Sequence, residues 1–179
     1  MRVTGLIALA SWSLLLAPTP VAALDEPVWR LDAELGYAGY ADKRRYHGMF
    51  AGLETAFAFT DFWAVRAGYG YGLHRSKGDA FDVHQASLGI RYQLDVFEYV
   101  PWVDLSPGLY AFAGEGGVES SPLFGFAAGL GFDRLLDPAW SLGFAARYHQ
   151  LVGEERFPAY LTLSIRLGRR WVLGDAFAP

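Results

Sequence analysis

The chain has 179 residues, enough for one domain; 53% are hydrophobic, 16% aromatic and only 19% charged. A net charge of −4 leaves no dominant basic surface, which argues against nucleic acid as a partner. No cysteine is present, so disulfides, thiolate metal sites and a lipid-modified N-terminal cysteine are excluded.

Residues 1–23 have the form of a signal peptide. Arg2 supplies a positive start, Leu6 to Leu16 is an apolar run, and Pro18 and Pro20 break it before Val21 and Ala23, the −3 and −1 positions for cleavage after Ala23. The run is too short to span a hydrocarbon core that needs about 20 residues. The rest divides into a barrel over residues 24–173 and a short tail over 174–179.

From Trp29 onward the pattern has a period of two, as in a strand whose successive side chains face opposite ways. Segment one, Trp29 to Tyr40, sets Trp29, Leu31, Ala33, Leu35 and Tyr37 against Arg30, Asp32, Glu34, Gly36 and Ala38. Segment two runs from His47 to Phe59. Segment three, Phe62 to His74, alternates Trp63, Val65, Ala67, Tyr69, Tyr71 and Leu73 with Ala64, Arg66, Gly68, Gly70, Gly72 and His74. Segment four spans about Phe81 to Leu94. Segment five, Tyr99 to Phe112, contains Pro107, which lacks a ladder N–H, so a bulge or local break is expected there. Segments six and seven are Leu123 to Asp133 and Trp140 to His149, and segment eight begins near Ala159. Charged loops (41–46, 75–80, 113–121, 150–157) alternate with short turns (60–61, 95–98, 134–139).

Across the eight segments one face is apolar and free of charge and glycine; the other carries ten charges and twelve glycines. A soluble barrel would have to pack the many outer aromatics inside eight strands, whose interior is just wide enough for side chains to fill it. A glycine-rich, charged lumen with lipid outside fits better: Arg or Lys at a bilayer midplane costs about 2–4 kcal/mol. The expected fold is an all-β, eight-stranded antiparallel up-and-down transmembrane β-barrel.

The chain resembles the small outer-membrane β-barrel family of Gram-negative bacteria, the OmpA/OmpX-type eight-stranded barrels. The resemblance rests on the leader, the eight dyad-patterned strands, the aromatics near strand ends, and the stretch from Arg166 through Gly168 to Trp171 and Leu173, which is similar to the family's assembly signal. It implies outer-membrane localisation, handling by the barrel-assembly machinery, termini in the periplasm, and outer-membrane lipid and lipopolysaccharide as partners of a monomer. Trp29, Phe59, Trp63, Tyr92, Phe132 and Trp140 would form the inner aromatic girdle; Tyr37, Met49, Tyr71 and Tyr148 would lie near the outer one.

Alternating strand direction places Arg30, Asp32, Glu54, Arg66, Arg91, Asp104, Asp133 and Arg166 in the lower lumen, four bases facing four acids. Desolvated charges must pair, so a connected network that plugs the barrel is expected. Phe50, Trp102 and Tyr110 also point inward. Arg44, Arg45, Arg75 and Lys77 are candidate contacts for anionic headgroups. The function expected is structural or surface-interacting, without catalysis, cofactor or metal; a narrow channel for small solutes is the alternative. A lipid A hydrolase would need His, Ser and an acid facing lipid, yet His149 points inward and His84 stands alone on the outer face.

Overall fold

In the computed structural model, which describes residues 27–40, 46–76, 79–94, 98–114, 122–155 and 159–173, eight strands follow one another: β1 (Val28–Tyr40), β2 (His47–Ala58), β3 (Trp63–Ser76), β4 (Asp79–Gln93), β5 (Tyr99–Gly114), β6 (Leu123–Leu135), β7 (Trp140–Leu151) and β8 (Ala159–Val172). Each is antiparallel to the next, and β8 returns to pair with β1, closing the barrel. Closure leaves no unpaired sheet edge. Leu173 N donates to Pro27 O at 3.0 Å and extends the seam past the last strand residue. The proposed signal peptide, the tail, and Arg44, Arg45 and Lys77 lie outside the described residues.

Two turns carry their own side-chain acceptors. Thr60 Oγ1 accepts from the amides of Trp63 and Phe62 at 2.9 and 3.3 Å. Asp137 Oδ1 accepts from the amides of Ala139 and Trp140, both at 2.7 Å. Such local bonds offer the chain an alternative to continuing the ladder, so it reverses.

Pro107 breaks the ladder without a bulge. The β4–β5 register is the same on both sides of it (Ser87 opposite Gly108, Ile90 opposite Leu105), and only the pairs between are missing. On the β6 side Pro107 stays paired, opposite Phe126. A missing N–H removes bonds but inserts no residue, so every later side chain keeps its face.

The barrel is inside-out relative to a soluble one. Leu35, Leu53, Leu88, Leu130 and Ile165 on the outer face are each about 60% exposed, whereas Asp32, Asp133 and Arg166 are wholly buried. The six residues expected in the inner girdle all point outward near the end where β1 begins and β8 finishes, where Tyr99 and Trp171 join them. Three expected loops are partly strand. Pairing continues through Arg75 opposite Ala80 and Ser76 opposite Asp79, β5 runs on to Gly114 opposite Phe81, and β7 reaches a buried Leu151. Tyr46, at the end of the first expected charged loop, is also buried, because its ring packs edge-on to Phe81 at 5.1 Å.

Candidate functional site

The lumen has two storeys. The lower one holds charge. All eight lumen residues expected from the sequence are buried there, and Glu34 and Arg147 join them. Among the described residues this makes five buried arginines and five buried carboxylates, a formally neutral set.

Glu54 on β2 is the hub. Its Oε1 accepts from Arg91 at 2.5 Å and from Arg166 at 3.0 Å; its Oε2 accepts from Arg66 at 2.7 Å and Arg147 at 2.8 Å. Four arginines from four different strands thus converge on one carboxylate of a fifth. Arg91 and Arg166 each carry on to a second acid, Asp104 at 3.0 Å and Asp32 at 2.8 Å. Arg147 also donates to Glu34 at 2.6 Å. Arg30 closes the bottom, donating to Asp32 at 2.7 Å and Ser141 at 3.0 Å, with Asp133 at 2.9 Å. Ser106 and Ser164 take up remaining valences on Arg66 and Glu34 at 2.7 and 3.0 Å.

Trp102 lies in the middle of this network. The guanidinium carbons of Arg91, Arg166 and Arg147 stand 4.1, 4.6 and 5.4 Å from its ring centroid. The indole N–H donates to Asp133 at 3.0 Å. A ring face attracts cations and its edge donates to an anion, so one residue serves both signs of charge. Glycine makes the room: a Cβ at Gly131 would collide with the Trp102 ring, and one at Gly168 would lie 2.8 Å from Arg30 Nη2 and 2.7 Å from Ser141 Oγ.

The upper storey is aromatic. Tyr40, Tyr46, Phe81, Val83, Tyr110, Phe112, Leu151 and Tyr160 form one buried cluster. His149 stacks on Tyr160 with ring centroids 4.2 Å apart, and its ring nitrogens meet Tyr110 Oη at 3.1 Å and Thr162 Oγ1 at 3.2 Å. Tyr160 donates to Gln85 across the lumen. His74 stacks on Phe81 at 5.0 Å.

Small cavities lie among the described lumen residues. One, about 20 Å³, lies at the terminal end between Arg30, Ala56, Gln93 and Val100; another, about 10 Å³, lies beside Glu34, Glu54, Arg66 and Arg147. Each has room for about one water.

Among the described residues the histidines do not assemble an acyl-transfer triad. His149 is enclosed. His84 faces outward, and its Nδ1 meets Tyr69 Oη at 2.7 Å. Among the described residues no serine hydroxyl bonds either histidine, and no cluster of three or more His, Asp or Glu is placed to hold a metal.

Pattern alone turns all ten charges inward but levels only eight of them in the lower lumen. Glu34 and Arg147 have the right phase, and the strand stagger that brings them level with Glu54 is set by register. The roles of Ser106, Ser141 and Ser164 carried no signal beyond their inward phase.

No family model matches the chain, and no curated protein matches it. Solved structures do. Neisserial surface protein A superposes with a TM-score of 0.70 at 14% identity, covering 83% of this chain and 99% of that one. Ail, the attachment invasion locus protein of Yersinia pestis, gives 0.56 at 14%, over 83% and 100%. The outer membrane enzyme PagL gives 0.50 at 16%, over 78% and 97%. The fold is that of the small eight-stranded outer-membrane barrels. At these identities the likeness extends to the fold alone.

Proposed function

We propose that this chain is an outer-membrane barrel with a closed lumen, a monomer whose work is structural or done at its rims. The filled lumen carries the reading. Ten paired charges and an aromatic storey occupy the space through which a solute would pass, and the cavities described above each have room for about one water. The exposed apolar belt supports lipid as the surrounding solvent, since the same side chains in water would make a large uncovered hydrophobic surface. Insertion then proceeds through the barrel-assembly machinery, with both termini on the periplasmic side.

In that orientation the loop rim meets lipopolysaccharide and outside ligands. Arg75 is exposed on β3 at that rim; Lys77 follows it two residues on, and Arg44 and Arg45 belong to the connection between β1 and β2. Ail, a barrel of similar fold, has been solved in complex with the heparin analogue sucrose octasulfate, which supports a reading of anion contact. Catalysis has no support in the histidine geometry described above.

A second reading, a narrow channel, is favoured by one observation. Glu34 Oε1, Arg91 Nε, Asp104 Oδ1 and Arg166 Nη1 are buried without a hydrogen bond among the described residues, so the network has spare valences that water would fill.

The test is retention of purified lipopolysaccharide by the refolded chain beside a variant with Arg44, Arg45, Arg75 and Lys77 all changed to Gln. Saturable retention that the variant loses is expected. Equal retention by both would contradict the rim reading.

A further inference from the structure

At the opposite rim, Arg169 on β8 stands outward in the aromatic girdle. Its guanidinium carbon lies 5.5 Å from the Trp140 ring centroid and 5.2 Å from that of Trp171. Trp140 is its cross-strand partner on β7, and Trp171, two residues along β8, sits opposite Trp29 on β1. The cation is thus held between two indoles. No carboxylate among the described residues pairs with it. Glu98 pairs with Arg134 at 3.6 Å, and Asp137 Oδ1 is taken by two turn amides. The indole N–H groups of Trp140 and Trp171 also have no acceptor among the described residues.

From this geometry we infer a binding site for one anionic phospholipid, its phosphodiester on the Arg169 guanidinium and its acyl chains along the apolar belt above. Three features select that ligand. A tryptophan girdle sits at headgroup depth. A guanidinium fork matches the two non-bridging oxygens of a phosphodiester, and the two indole N–H groups offer further donors. An arginine without a counterion prefers a net-negative headgroup over a zwitterionic one, whose own ammonium repels it. Leu31 and Leu167 line the way from Arg169 to the belt. The site is separate from the lumen and from the basic residues of the loop rim.

The test is native mass spectrometry of the refolded chain released from micelles containing equal phosphatidylglycerol and phosphatidylcholine, with unboiled gel mobility as the check of folding. Wild type is expected to retain one phosphatidylglycerol with a preference of about fivefold, the scale of one basic contact at an anionic surface. R169Q falls to the phosphatidylcholine level, R169K keeps part of the preference, and R134Q, which removes an exposed arginine already paired with Glu98, keeps all of it. No preference in wild type, an undiminished preference in R169Q, or an equal loss in R134Q would overturn the inference.

Discussion

Glu54 Oε1 accepts a hydrogen bond from Arg91 at 2.5 Å, and the same guanidinium lies 4.1 Å from the centroid of the Trp102 ring. Both partners are buried, so each charge depends on the other for the solvation that water no longer supplies. Three more arginines share Glu54, and their mutual repulsion is held down by it.

Removing that carboxylate is therefore severe. Glu54→Gln keeps the volume but leaves Arg66, Arg91, Arg147 and Arg166 short of an anion. The expected loss is about 3–5 kcal/mol, read from urea unfolding of the refolded chain in lipid vesicles by tryptophan fluorescence. A loss below about 1 kcal/mol, the scale of an exposed pair, would mean the network is well hydrated.

Trp102 fills the space between three guanidinium groups. Trp102→Ala is expected to cost about 3–5 kcal/mol through the cavity and the lost cation contacts, and Trp102→Phe distinctly less, since a ring face remains. Thermal melts followed by circular dichroism separate the two. Equal effects would assign the role to the indole N–H bond with Asp133 instead.

Gly168 lies against Arg30, Asp32 and Ser141, with no room for a methyl group. Gly168→Ala is expected to destabilise by about 1–3 kcal/mol. Gly153, in the turn after β7, has a φ of +80° but open space around it, so Gly153→Ala there acts through backbone strain alone. The same unfolding assay reads both.

Leu130 is 59% exposed on the outer belt of β6. Leu130→Arg is expected to lower stability in bilayers by about 2–4 kcal/mol, and to do little in aqueous detergent with a thin apolar shell. An equal, small effect in both media would place this face in water.

The faces of all eight strands were legible because the side-chain period in a strand is two, and Asp32 or Arg66 in lipid would be costly enough to exclude the other phase. What sequence does not carry is stagger. Glu34 pairs with Arg166, and Arg147 with Thr162, so Arg147 reaches Glu34 across β8; those neighbours follow from register. Pro107 announced a break, but that the register survives it is decided by the strands on either side. The aromatic storey was half hidden for another reason. Tyr46 and Phe81 fall beside charged stretches, where alternation gives way to loop-like composition, yet the strands extend far enough to bury them.

A closed lumen is the claim on which the account turns, and planar-bilayer conductance of the refolded chain tests it most directly, with Glu54→Ala and Arg66→Ala measured beside wild type. The account predicts no steps from wild type and steps only from the variants, whose broken ion pairs open a path past Trp102. Regular steps from wild type would contradict it and make the charged storey a conducting filter.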